Sequence, residues 1–450
     1  MKVAVIGSGV AGLGAAWLLS RRHNVALYER ETRLGGHSNT VEVPGPRGPV
    51  AVDTGFIVYN EPNYPNLTAM LSHLGVATQP SDMSFAVSLD GGRFEYGSRW
   101  YAFLGQVANA ANPDQWRLLR EITRFNREAP RLLAAAEDLP LTVGAYLEAN
   151  GYGRPFVQRY LMPMAGCIWS APMRQMLAYP AQALVRFFAN HGLLRVAGQL
   201  PWRTVRGGSR SYVARLAASL GDAVRTGHGA TSVMRLDGRV LVRDSAGQWD
   251  SFDRVILACH GDQALRLLDR PNDAERRVLG AFKYAANRAT LHGDVDLMPR
   301  RRLVWSSWNY VAREGDWDAP ASLTYWMNRL QRLVSQPIFV SLNPPRPARP
   351  EKAWGQFTYH HPLFDRAAIE AQGELPSIQD VNGVLFCGSY CGYGFHEDAL
   401  VSGLEAAERL GVARPWTAAT GRRQRREPST AVHALVPAPL RMPVAARELS

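Results

Sequence analysis

The chain has 450 residues, 46% hydrophobic and 20% charged, enough for two globular domains with a large core, which excludes a disordered or fibrous protein. Its formal net charge of +12 is almost wholly arginine, since lysine occurs only at Lys2, Lys283 and Lys352, and six arginines fall in residues 417–450. No nucleic-acid module accompanies that charge, so no nucleic-acid partner is expected, and no long uninterrupted apolar run predicts a spanning helix.

Residues 2–6 are β-branched and read as a strand; Gly7, Gly9 and Gly12 follow as G-x-G-x-x-G, and residues 10–20, opening with Val10 and Ala11, read as an apolar helix. Residues 24–28 form a second predicted strand, ending at Glu29 and Arg30. Each glycine has a physical role in a dinucleotide site. Gly7 permits the tight turn, Gly9 lets backbone approach a pyrophosphate, and Gly12 lets helix and strand pack closely. The helix N-terminus offers N–H groups to phosphate, and Glu29 suits a ribose hydroxyl.

Next comes RLGGHSNT at 33–40, in which Gly35-Gly36 lets backbone approach a ligand and Arg33 offers a phosphate fork, followed by His37 and Ser38. Residues 40–43 and 50–53 predict a hairpin across PGPRGP, closed by Asp53-Thr54-Gly55. Residues 60–199 read as helical, with a small hairpin at 85–96 turning at Asp90-Gly91-Gly92. Within them, 115–129 is a basic amphipath: Leu118, Ile122, Phe125 and Ala129 share one face, opposite Arg117, Arg120, Arg124 and Arg127. Such a helix could rest on an anionic membrane as a peripheral contact, although packing inward is the more common fate. The Met-, Leu- and Phe-rich run 161–194 reads as helical core or as the wall of a lipophilic pocket.

Strands are predicted at 231–236, 239–243 and 249–252, turned by Asp237-Gly238 and Ala246-Gly247, and RVILA at 254–258 reads as a buried parallel strand. Residues 282–357 are mixed and rich in Trp and Tyr. The last ordered unit is a strand at 384–387, a turn with Gly388 and Gly394, and a helix over 398–410, with Phe395, His396, Glu397 and Asp398 at its head. Residues 417–450 lack periodicity and read as a disordered basic tail. Cys167, Cys259, Cys387 and Cys391 lack zinc or redox spacing and suit a reducing, cytoplasmic compartment; the histidines supply no metal motif, so no metal is expected.

Gly7–Gly12, Glu29, Arg33-Leu34-Gly35-Gly36, Gly207-Gly208, the DRVILA strand and the terminal glycine-rich helix stand in an order that resembles FAD-dependent amine oxidases and their relatives, the phytoene desaturases and protoporphyrinogen oxidases. SWNY (307–310), YHHPLFD (359–365) and GFHED (394–398) resemble a bacterial branch of predicted NAD/FAD-binding proteins associated with lipid modification. The resemblance covers residues 1–411. It implies an α/β fold: a two-dinucleotide-binding, Rossmann-like FAD domain (1–60, 200–270 and 355–415) with an inserted mixed, mainly helical substrate domain (61–199 and 271–354) and a tail from 416. It also implies non-covalent FAD, with Val233 touching adenine through its backbone and Gly388 and residues 394–398 meeting the flavin ring.

The amine oxidases' common flavin-side lysine is missing from NRATLHGD (287–294); Lys283 lies upstream, and His292 stands in a similar place. The resemblance therefore implies dehydrogenation of a lipophilic small molecule, such as a fatty-acyl lipid, by hydride transfer to flavin. Two alternatives stand beside it: amine oxidation with peroxide release, and a non-redox flavin protein or isomerase. His396 is the expected base near the flavin, with the alternative of a helix-start histidine satisfied by backbone; His292, Tyr359 and Trp305 are further candidates, each also readable as core.

Overall fold

The structure, a computed structural model, describes residues 1–103, 106–134, 141–195 and 200–417. Strand β1 (Lys2–Ile6), helix α1 (Val10–Leu19) and strand β2 (Asn24–Glu29) form the opening βαβ unit, and β1 and β2 pair in parallel. The hairpin β3 (Thr40–Val43) and β4 (Val50–Asp53) follows, then helix α2 (Pro65–His73) and the hairpin β5 (Phe85–Leu89) and β6 (Phe94–Gly97). Helices α3 (Pro113–Glu128), α4 (Ala181–Asn190) and α5 (Arg210–Ala218) lead to β7 (Val224–Thr226). The meander β8 (Ala230–Leu236), β9 (Arg239–Asp244) and β10 (Trp249–Phe252) precedes β11 (Arg254–Leu257). Strands β12 (Lys283–His292), β13 (Trp308–Ala312), β14 (Leu323–Trp326), β15 (Phe339–Leu342) and β16 (Ala353–Leu363) come next, then β17 (Val384–Phe386) and α6 (His396–Arg409).

Two sheets organise these elements. One is parallel, in the order β7-β2-β1-β11-β17; the other has seven strands in the order β16-β12-β15-β14-β13-β5-β6. Strands β2, β1, β11 and β17 of the parallel sheet are short and apolar and almost wholly buried, as the interior of such a sheet requires. Helix α1 is buried over its whole length, wedged between that sheet and α6. Glycine makes the crossing possible: a Cβ at Gly403 of α6 would stand 2.1 Å from the Ala11 carbonyl oxygen.

The predicted hairpin at 85–96 forms, yet it is part of the large sheet: β5 pairs in parallel with β13, Phe85 opposite Trp308. Every residue of β5 is buried, so it needs neighbours on both sides rather than the single partner of a free hairpin. Strand β16 also belongs to this sheet, paired with β12 from Lys283–Leu363 to His292–Ala353. The chain re-enters the parallel sheet at β17.

Helix α3 starts at Asn112, whose side chain accepts the Asp114 N–H, with Pro113 next. Its apolar face lies in the core, with Leu118 and Phe125 fully buried, so that face is unavailable to lipid. Arg117 and Arg124 pair along the helix with Glu121 and Glu128. Order extends past residue 416, where the tail was expected to begin: Trp416 stacks on Trp17 at 5.8 Å and donates its indole N–H to Asn66 Oδ1. An indole gains too much by burial to be left in a solvated tail. Residues 418–450, the rest of that expected tail, lie outside the described residues. Among the described residues no helix is long and apolar enough to cross a membrane.

Candidate functional site

The C-terminal ends of the parallel strands converge, which is where open α/β sheets receive ligands. Gly7 leaves β1 with φ of +103°, and a Cβ there would lie 2.8 Å from the Ala258 carbonyl oxygen at the end of β11. A Cβ at Gly12 would lie 1.8 Å from the Gly7 carbonyl oxygen, so the turn closes only with glycine at both positions. Gly9, the N-cap of α1, faces open space: nothing lies within 4 Å of its would-be Cβ. Gly36, at φ of +56°, brings the second glycine loop against it, its would-be Cβ 3.2 Å from Gly9 Cα. Arg33 holds that loop by donating to the Gly36 carbonyl (2.9 Å). No acidic side chain occupies the first turn of α1, so its N–H groups face an uncontested cradle of the kind a diphosphate fills.

Glu29, at the end of β2, accepts from the Ser8 N–H (2.9 Å) and hydroxyl (2.6 Å) and from the Glu31 N–H (2.9 Å), so its carboxylate stands directly over the first loop. Arg30 points outward and pairs with Glu31 at 3.3 Å. Val233 is buried in β8, where its carbonyl accepts the Asp269 N–H at 3.0 Å. The segment that meets the end of β2 is Gly229, whose Cβ would stand 2.6 Å from Arg30 Cβ.

The hairpin that follows the second loop folds back on it. A Cβ at Gly55 would lie 2.1 Å from the His37 carbonyl oxygen, which accepts the Phe56 N–H at 2.8 Å. Thr54 donates its N–H and hydroxyl to the Asn39 carbonyl (2.9 and 3.1 Å), and its hydroxyl lies 2.7 Å from the Tyr359 hydroxyl. Asn39 Nδ2 donates to that same phenol at 3.0 Å. Ser38 hydrogen-bonds to the Tyr212 hydroxyl, which lies 2.6 Å from His396 Nε2. Phe56 stacks on the His396 ring at 3.8 Å. Burial, reinforced by the neighbouring His37, lowers His396 to about 3, so the ring is neutral and is satisfied by side chains rather than backbone.

Around His37 the fold assembles an aromatic and imidazole cluster from separate segments. His37 lies 5.0 Å from Tyr359, 5.5 Å from His361 and 6.4 Å from His260, and His260 stacks on Tyr284 at 4.2 Å. Asn287 donates to His361 Nδ1 at 3.0 Å. Among the described residues no set of three or more His, Cys, Asp or Glu is arranged to hold a metal.

Of the expected site residues, Tyr359 and His396 therefore meet the glycine loops, whereas His292 and Trp305 do not. His292 is buried at the far end of β12, its Nε2 2.8 Å from the Ser341 hydroxyl and its Nδ1 accepting the Asp294 N–H. Trp305 donates to the Pro299 carbonyl, and both rings pack against Phe339. His292 lies five positions along β12 from Asn287, the partner of Tyr359, or about 16 Å on an extended strand.

At the head of α6, Gly388 is packed against Tyr390 and the Cys259 carbonyl, and Gly394, at φ of +93°, against the Phe364 ring. Phe395 stacks on Phe187 of α4 at 4.8 Å. Glu397 points away from the loops: its carboxylate accepts the Asn66 and Leu67 N–H groups at the start of α2 (2.8 and 2.9 Å), which makes it a helix cap.

Sequence reasoning passed over Asp53, Tyr212, His260 and His361. Asp53 is buried and accepts from the Thr40 hydroxyl (2.6 Å), the Ser209 N–H (2.9 Å) and the Gln331 amide (3.0 Å), with burial raising it to about 6. It ties the hairpin to Gly208, where a Cβ would strike Thr40 at 2.5 Å. His260 had a legible signal, since it stands three residues beyond a parallel strand at its ligand-facing end. Tyr212 and His361 carried none, because their partners come from distant segments.

The model of the family described as flavin containing amine oxidoreductase matches residues 10–288. Among solved structures, cyclohexylamine oxidase from Brevibacterium oxydans IH-35A is similar at a TM-score of 0.67 and 13% identity over 91% of this chain and 98% of that one. Putrescine oxidase bound to putrescine gives 0.65 and 16% over 91% and 99%, and a CLA-producing fatty acid isomerase from P. acnes gives 0.64 and 16% over 91% and 98%. A bilirubin reductase from Mediterraneibacter gnavus is 54% identical over 44 residues, and the match spans only 7% of that protein. The chain belongs to the flavin containing amine oxidoreductase family.

Proposed function

We propose that the chain holds FAD non-covalently, with its diphosphate in the Gly7–Gly12 cradle, and removes a hydride from a lipophilic substrate such as a fatty-acyl chain. Glu29 takes the ribose hydroxyls, the backbone from Gly229 borders the adenine, His37 stands beside the diphosphate, and Ser38, Tyr359 and His396 face the reactive half. Residues 1–60, 200–270 and the end of the chain from β17 make the cofactor-binding part, and β16 counts with the substrate sheet. Bound FAD supplies the two-electron acceptor.

The observation that carries the substrate class is the chemistry of the walls. Asp53, Glu397 and Asp398 each accept backbone N–H groups and Asp262, beside His260, pairs with Arg266 at 2.8 Å, so each of these carboxylates already has a partner, which disfavours an ammonium substrate. Lys283 is exposed and pairs with Asp365 at 3.2 Å, away from the loops. On the other side, the stack of Phe395 on Phe187 joins the site to the apolar helices of 161–194. Cys387 is fully buried, with its thiol held protonated by burial, which suits a non-covalent cofactor.

Chain residues then divide the work. The chain of hydroxyls from Ser38 through Tyr212 to His396 holds one proton position at His396 Nε2, and Phe56 shields that ring. Anaerobic mixing of the flavin-loaded protein with fatty-acyl thioesters and, separately, with a polyamine panel tests the reading. Bleaching by acyl substrates is expected. Bleaching by amines alone makes it an amine oxidase, and double-bond migration without bleaching makes it an isomerase.

A further inference from the structure

His37 and His260 hang from the two walls of the phosphate cradle. His37 follows Gly36, whose would-be Cβ is 3.2 Å from Gly9 Cα; His260 follows Cys259, whose N lies 3.6 Å from the would-be Cβ of Gly7. Their ring centroids are 6.4 Å apart. We propose that these two histidines form a proton-linked anion clamp: when FAD binds at neutral pH, a proton moves from solvent onto an imidazole of this pair, and the resulting cation faces the diphosphate. This rests on placing the diphosphate at the Gly7–Gly12 loop, as proposed above.

Asp262 is the single carboxylate among the groups that act on the pair. His37 meets Arg33, His360, His361, Tyr359 and His396. His260 meets Arg30, His37, His360, Tyr284 and Asp262, and that aspartate is paired with Arg266 at 2.8 Å. Burial and this cationic company push His37 and His260 down to about 4 and His361 to about 3, so all three are neutral while the cradle holds no anion. A diphosphate diester brings two negative charges that stay ionised throughout the range where imidazole titrates. That is the counter-charge the cluster lacks, and opposite charge within a few ångströms favours imidazolium. The proton balance is simple: one proton leaves bulk buffer, one N–H bond forms on the ring, and no covalent bond to FAD is made.

Linkage fixes the sign. A ring that is neutral in the FAD-free protein and protonated in the complex weakens FAD binding as pH rises, by up to about tenfold per pH unit for one proton, until the complex itself deprotonates. The test follows free-FAD fluorescence after dilution of the full-length flavin-loaded protein from pH 5 to 8.5. Wild type is expected to show that rise in Kd followed by a plateau. The His37→Gln/His260→Asn double variant, in which asparagine keeps the helix cap at 260, is expected to retain FAD with a Kd varying less than about twofold across the range. A pH-independent wild-type Kd overturns the clamp, as does an unchanged slope in the double variant. Should that variant fail to fold, proton uptake on adding FAD to FAD-free wild type in weak buffer with a pH indicator decides. About one proton per FAD near pH 6.5 is expected, and none overturns the proposal. FAD binding retained in Gly9→Glu would instead refute the placement of the diphosphate, a separate outcome from loss of the pH slope.

Discussion

Glu397 sits at the head of α6, yet its carboxylate belongs to α2: one oxygen accepts the Asn66 N–H and side-chain amide (2.8 and 2.9 Å), the other the Leu67 N–H (2.9 Å). Asn66 Oδ1 in turn accepts from Arg414 at 2.7 Å, so the contact locks α2 to the end of the described chain. Glu397→Ala would strand these buried donors and is expected to cost about 2–3 kcal/mol, read as a lowered Tm. The purified variant is expected to keep its full flavin content. Loss of flavin at unchanged Tm would return Glu397 to the cofactor site.

Asp53 carries a pH signature. Burial raises its carboxyl from 3.8 to about 6, so the native state holds that proton more tightly than the unfolded chain. Its contribution is fully present below about pH 4 and is lost as pH rises through 6, about 3 kcal/mol in all. Urea unfolding of Asp53→Asn against wild type is expected to give a stability difference that moves by that order between pH 4 and 6 and then levels. A constant difference would mean that Asp53 ionises normally.

Histidine supplies the opposite trend. Burial lowers His37, His191, His260 and His292 to about 4, and His361 and His396 to about 3. Unfolded imidazoles protonate near 6.5, so the stability these rings confer is present above that pH and is lost as pH falls toward 4. FAD-free protein is expected to lose about 1 kcal/mol per ring per pH unit in that window, after solvent screening. The FAD complex should lose less, because the clamp already holds a proton. Equal acid sensitivity with and without FAD would contradict this.

Lys283→Met tests the site's distance from the lysine just upstream of residues 287–294. The ammonium is exposed and its pair with Asp365 is a surface contact, worth less than about 1 kcal/mol. Flavin reduction by substrate is expected to change less than twofold. A large loss in the reduction rate would place Lys283 at the flavin and favour amine chemistry.

Local signals carried the parallel half of the fold. Gly7, Gly9 and Gly12 stand at fixed spacing within one strand–turn–helix, and the meander 230–252 turns on Asp237-Gly238, so both could be read from short windows. The pairing of Phe85 with Trp308 could not: 223 residues separate them, and β5 carries no mark of its partner. The same distance hid the roles of Tyr212 and His361, which acquire meaning only beside His396 and His37. His292 misled because a histidine on a strand gives no indication of which end of the sheet it occupies, and Glu397 because an acid in a helix's first turn can serve a neighbouring helix instead of its own.

The most direct measurement of the central claim is the visible spectrum and flavin-to-protein ratio of Gly9→Glu beside wild type. The Gly9 backbone lies at φ of −61° and faces open space, so the fold tolerates the longer side chain while its carboxylate enters the diphosphate cradle. Wild type should carry close to one flavin per chain, and the variant none, with an unchanged circular dichroism spectrum and a cooperative thermal transition. Stoichiometric flavin in a folded Gly9→Glu protein would contradict the account.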